Sequence, residues 1–73
     1  MSTASPEVEI RLNGEPFQVA EGATIGELLT HLDVVQDRVA VELDREIVRR
    51  DEWAHCRLRA GSVVEIVHLV GGG

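Results

Sequence analysis

The 73-residue sequence predicts an α+β domain in which a mixed sheet of four to five strands surrounds one main helix. Three observations predict this class: an alternating apolar stretch that repeats after a tight turn, one apolar stripe at helical spacing, and further alternating stretches downstream. A chain of this length builds one small domain. We expect a flexible N-terminus over residues 1–7, a folded domain over 8–70 and a flexible glycine tail over 71–73.

The first two strands are predicted to form a hairpin. Apolar and polar residues alternate over 8–12 and again over 17–19, which is the period of a half-buried strand. Asn13-Gly14 between them is a favoured pair for a tight turn because both residues tolerate positive φ. Pro16 has no N–H to donate, so the second strand begins there or lies at an edge of the sheet.

One amphipathic helix follows the hairpin. Thr24 and Glu27 have the spacing of a capping box, in which the two residues satisfy free N–H groups of the first helical turn. Gly26 costs the helix about 1 kcal/mol relative to alanine. The apolar stripe that predicts the buried face consists of Ile25, Leu28, Leu29 and Leu32.

The second half of the chain returns to strands. Asp51 is expected to cap a helical turn over 52–56 that presents Trp53 to the core. Because the chain has a single cysteine, it can form neither an internal disulfide nor a four-cysteine metal centre. The predicted strands are 39–43, 47–48 and 63–70.

The last strand is apolar on both faces. One face carries Val64, Ile66 and Val70, and the other carries Val63, Val67 and Leu69. Either the strand is central with its outer face covered, or the outer face is a docking patch. A chain this small has too little material to cover both faces of a sheet, so we expect a partner surface near Val67 and Leu69.

The charge of the chain bears on its partners. It has 13 Asp and Glu against 7 cations, all of them arginine, and a formal charge of −6. This balance disfavours nucleic acid and anionic membranes and favours a basic protein partner. The sequence shows no secretory signal and no run of about 20 apolar residues, which predicts a cytoplasmic protein.

No group of side chains points to catalysis. The three histidines are scattered along the chain, and adjacent His55 and Cys56 on a helical turn would point about 100° apart. We therefore predict no catalytic residue, no metal site and no enzymatic activity.

The remaining reactive feature is the run Gly71, Gly72 and Gly73. Three glycines form a slim thread that reaches roughly 10 Å and fits a narrow enzyme channel. Its terminal carboxylate could be activated by ATP as an acyl-adenylate and then attacked by sulfur. A frayed or engineered end is the other interpretation of the same run.

Four segments carry a family resemblance: TIGELL at 24–29, AVEL at 40–43, RDEWA at 50–54 and GSVVEIV at 61–67. With them, residues 8–73 resemble the ThiS family, sulfur carriers of thiamine biosynthesis with a ubiquitin-like β-grasp fold and a Gly-Gly end. Arg49 stands where that family often has proline, and Ser62 where it often has aspartate.

The resemblance implies a function and a set of partners. Gly73 would be adenylated by a ThiF-like adenylyltransferase that uses ATP and magnesium, with Gly71 and Gly72 threaded into that enzyme. A cysteine desulfurase relay would supply sulfur, and the resulting thiocarboxylate would serve a ThiG-like thiazole synthase, with no cofactor bound by this chain. A carrier for molybdopterin or another product, and a ubiquitin-like modifier of lysines, remain alternatives.

Overall fold

A computed structural model describes residues 6–70 of the chain. It contains five strands, one α-helix and two short 3-10 helices at Gln36–Arg38 and Arg50–Glu52. The main elements in chain order are β1 (Glu7–Leu12), β2 (Glu15–Ala20), α1 (Ile25–His31), β3 (Val39–Leu43), β4 (Glu46–Val48) and β5 (Val63–His68). The predicted segment 71–73 and most of the segment 1–7 lie outside the described residues, so those domain boundaries stay a prediction.

The five strands form one mixed sheet in the order β2-β1-β5-β3-β4. The central strand β5 runs parallel to β1 and antiparallel to β3. Asn13 and Gly14 have φ values of 50° and 86°, as a tight hairpin turn requires. Pro16 lies on β2, which is an edge strand. The predicted α+β class, with one main helix against a mixed sheet in the β-grasp manner, is confirmed.

The helix begins with the predicted capping box. The Glu27 N–H donates to Thr24 Oγ1 at 3.1 Å, and the Thr24 N–H donates to Glu27 Oε1 at 2.9 Å. The first turn is also fixed to a distant segment, because the Gly26 N–H donates to the Trp53 carbonyl oxygen at 3.0 Å. These bonds aim the apolar stripe of α1 at the sheet.

The core lies between α1 and the inner face of the sheet. Trp53 is buried as predicted, and its Nε1–H donates to the Val48 carbonyl oxygen at 2.9 Å, so burial leaves its one polar group satisfied. Leu32 is only partly buried because α1 has ended by then. The buried apolar residues are Ile10, Val19, Ile25, Leu28, Leu29, Val39, Val41, Trp53, Leu58, Val64 and Ile66.

Two sequence predictions are wrong. Asp51 does not cap a turn over 52–56; the 3-10 helix begins at Arg50, Arg49 holds the capping position, and the exposed Asp51 carboxylate pairs with Arg49 at 3.4 Å. Val70 does not share the buried face of β5, since the strand ends at His68 and Val70 is 93% exposed. The strand pairing that imposes alternation stops before Val70.

Candidate docking surface at the end of the central strand

The end of β5 is held firmly on one side. In the register with β3, His68 lies opposite Val39 and Val67 lies opposite Ala40. One residue further on, the Leu69 N–H donates to the Arg38 carbonyl oxygen at 2.7 Å. The backbone of the chain is therefore hydrogen-bonded to its neighbour up to Leu69, four residues before the last glycine.

The outer face of β5 is open to solvent. Val64 and Ile66 point into the core, whereas Val63, Val67 and Leu69 are 36%, 48% and 52% exposed. The strand is central in the sheet, as one interpretation of its doubly apolar pattern held, but its outer face is not covered by other parts of residues 6–70. The role of Val67 and Leu69 in docking stays a prediction.

Two neighbouring strands extend this surface. Ala40 on β3 lies directly opposite Val67, and Ile47 on β4, 74% exposed, lies opposite Glu42. Sequence reasoning missed Ile47, because a three-residue strand is too short for its alternation to show which side is buried. We call the five residues Ala40, Ile47, Val63, Val67 and Leu69 the outer apolar face.

Two carboxylates lie within the outer apolar face. Glu42 on β3 and Glu65 on β5 are directly opposed in the register of the two strands. Opposed residues in an antiparallel pair have Cβ atoms roughly 5 Å apart, so two like charges face solvent side by side. A basic group on a partner would relieve the repulsion between the two carboxylates. The pair is therefore a specific place at which the predicted basic partner could bind.

The other candidate side chains do not assemble into a site. Within residues 6–70, no group of three or more His, Cys, Asp and Glu side chains is placed to hold a metal ion. His31 lies beside Phe17 with ring centroids 6.4 Å apart, and Cys56 is partly buried. In that same part of the chain, no helix is long and apolar enough to cross a membrane. Gly71, Gly72 and Gly73 lie outside the described residues, so their predicted roles stay predictions.

Comparison with known proteins assigns the chain to a family. The family model described as ThiS family matches residues 10–73. The sulfur carrier protein ThiS of Escherichia coli is 32% identical over 66 residues, which cover 90% of this chain and 100% of that protein. ThiS of Thermus thermophilus is 44% identical over 62 residues, covering 85% and 95% of the two chains.

A solved structure and a longer protein are also similar. The crystal structure of the thiamine biosynthesis protein ThiS from Geobacter metallireducens superposes with a TM-score of 0.80 at 35% identity, covering 90% of this chain and 100% of that one. The thiazole synthase of Magnetococcus marinus is 36% identical over 66 residues, and the match spans 90% of this chain but only 20% of that protein. The model match through residue 73, the full-length relatives and the shared sheet and helix together show that the chain belongs to the ThiS family of sulfur carriers.

Proposed function

We propose that this chain is a cytoplasmic sulfur carrier for the formation of the thiazole ring of thiamine. In this proposal, a ThiF-like adenylyltransferase uses ATP and magnesium to join AMP to the Gly73 carboxylate, and pyrophosphate leaves. The terminal sulfur of a persulfide from a cysteine desulfurase relay attacks the acyl carbon and AMP leaves. A thiol then reduces the acyl disulfide to a thiocarboxylate, which gives its sulfur to thiazole synthase.

One observation carries the proposal: the ThiS family match includes Gly73. In the sequence this residue follows a central strand whose backbone is hydrogen-bonded up to Leu69. In this role the chain supplies no catalytic group. It supplies a stable body, a defined point at which the tail begins, and a tail of glycines without side chains.

Two further features support the partners. The outer apolar face flanks the root of the tail, and the Glu42–Glu65 pair within it suits a basic patch on the adenylating or sulfur-accepting enzyme. Thiazole synthases of Magnetococcus marinus and Paramagnetospirillum magneticum each contain a segment similar to this chain. A carrier-like segment within the thiazole synthase polypeptide supports thiazole synthase as the acceptor here.

The test is a reconstitution with purified adenylyltransferase, desulfurase relay, ATP and magnesium, followed by intact mass measurement. We expect the mass change of one oxygen replaced by one sulfur, and its reversal when thiazole synthase and its substrates are added. The variant without Gly73 should stay unmodified. Conjugates to lysines of other proteins would instead indicate a modifier, and a thiocarboxylate that thiazole synthase does not consume would indicate another pathway.

A pair of variants tests docking in the same assay. Val67→Asp places a charge in the outer apolar face and should slow thiocarboxylate formation on the order of tenfold or more, since losing about 1.4 kcal/mol of binding is tenfold in affinity. Ala60→Asp adds the same charge at an exposed turn position before β5 begins and should react normally. Equal rates for the two variants would contradict a docking role for Val67.

A further inference from the structure

The backbone of β5 is paired differently on its two sides. The backbone N–H and C=O groups of odd-numbered residues point toward β3. The Val63 carbonyl oxygen accepts the Asp44 N–H at 2.7 Å, and the Leu69 N–H donates to the Arg38 carbonyl oxygen. The backbone groups of even-numbered residues point toward β1, where the Val64 carbonyl oxygen accepts the Asn13 N–H at 2.9 Å. On that side the last bond joins the Ile66 N–H to Asn13 Oδ1 at 2.8 Å.

The side facing β1 runs out of partners before β5 ends. The register between the two strands contains only Arg11 with Val63 and Leu12 with Val64, because the chain turns away at Asn13-Gly14. Among residues 6–70, no strand lies along β5 on this side beyond Ile66. The Ile66 C=O and both backbone polar groups of His68 therefore point to a side that has no partner strand among residues 6–70. We call this side of residues 66–68 the open edge.

The open edge offers backbone groups to a partner. Exposed strand edges are commonly protected by proline, lysine, a bulge or extreme shortness. The open edge is short, but it contains no proline and His68 is exposed, whereas the outer strand β2 carries Pro16. An exposed edge of this kind can pair with an extended segment of another chain.

We propose that the open edge receives an extended segment of thiazole synthase, which takes the place that β1 vacates and hydrogen-bonds to the backbone of His68. This inference rests on the proposed function. The glycines that follow offer no side chains, so an enzyme can fix the direction of the tail only through backbone groups. Pairing at His68 fixes the place where the chain leaves the sheet, and the last three residues can extend roughly 10 Å toward the reaction site.

Two observations favour this occupant. The open edge adjoins Val67 and Leu69 of the outer apolar face, so one partner can cover both. In Magnetococcus marinus and Paramagnetospirillum magneticum, a segment similar to this chain belongs to the thiazole synthase itself.

The lone cysteine allows a direct test in the full chain. Native ligation at Cys56 joins a recombinant segment 1–55 to a synthetic peptide 56–73 without changing the sequence. In one protein the amide between Val67 and His68 becomes an ester, which removes the His68 N–H. In the matched control the amide between His68 and Leu69 becomes an ester, which removes the N–H that bonds to Arg38. Affinity for the thiazole synthase of the same organism and the urea midpoint are measured for both.

The His68 ester should bind thiazole synthase about two- to tenfold more weakly, the range expected for one lost hydrogen bond. The Leu69 ester loses its bond to Arg38 and should show the lower urea midpoint of the two, which proves that the method detects a lost bond. Slowed amide exchange of His68 on binding gives a second readout. Native affinity of the His68 ester, or an unprotected His68 amide in the complex, would overturn the inference. If the unmodified chain transfers sulfur in that case, the proposed function still stands.

Discussion

Replacing Asn13 with glycine tests the contact that ends the pairing between the hairpin and β5. Asn13 Oδ1 accepts the part-buried Ile66 N–H at 2.8 Å, and no other residue of the hairpin reaches that group in residues 6–70. Glycine keeps the turn, because it adopts the φ of 50° found at Asn13 without strain. The change removes one hydrogen bond, and the greater freedom of glycine in the unfolded chain adds to the loss of stability.

The expected loss is about 1 kcal/mol of unfolding free energy, since a typical intramolecular hydrogen bond contributes roughly 0.5–1.5 kcal/mol. For a domain of this size, that loss lowers Tm by about 4–8 °C. Urea unfolding is followed by the fluorescence of the single tryptophan, Trp53, which is buried in the core. The Ile66 amide should also exchange faster than in the parent chain.

Asn13→Asp is the matched control, because aspartate keeps an oxygen acceptor and also tolerates positive φ. It should retain the stability and the Ile66 protection that Asn13→Gly loses. If Asn13→Gly unfolds at the parent urea concentration and the Ile66 amide exchanges at the parent rate, then the Asn13 side chain does not stabilise β5. In that case the hydrogen bond that we assign as the last one between the hairpin and β5 is wrong.

Two further changes test local features. Thr24→Ala removes the Oγ1 that accepts the Glu27 N–H and should cost about 0.5–2 kcal/mol in urea unfolding, whereas Thr24→Ser should be close to neutral; equal losses would rule out the hydroxyl as the cause. Arg49→Pro should raise stability by about 0.4–1 kcal/mol, because φ at Arg49 is already −66° and the exposed ion pair with Asp51 contributes little. A lower urea midpoint for Arg49→Pro would show that the Arg49 N–H has a partner that the strand pairing does not reveal.

Features set by neighbouring residues could be predicted from the sequence. Asn13-Gly14 takes the positive φ values that make the pair a hairpin signal, and Thr24 with Glu27 closes the capping box that their spacing indicates. Each depends on contacts within four residues, so the sequence pattern contains the whole cause.

Features set by distant pairing could not be predicted in the same way. In β5, valine occupies both 63 and 64, so composition alone does not say which face is buried. The β3–β5 register decides that question, and it also brings Glu42 and Glu65 together from distant parts of the chain. In the sequence, Val70 continues the apolar alternation of β5, but the strand ends at His68 and the Val70 side chain is exposed. The predicted role of Gly73 rests on family resemblance and not on geometry.

The short reach of the hairpin is the link between the fold and the proposed function. Had β1 continued past Asn13, both sides of β5 would be bonded to this chain, and a partner could reach the tail only beyond Val70. Because β1 stops, β3 holds the end of the strand through the Leu69 N–H, and among residues 6–70 no strand pairs with the opposite side. This arrangement suits the function proposed above, because the internal bonds hold the end of the strand while the open edge is available to the proposed thiazole synthase segment. The Asn13 side chain accepts the Ile66 N–H and so marks the point at which internal pairing on this side of β5 ends and the open edge begins.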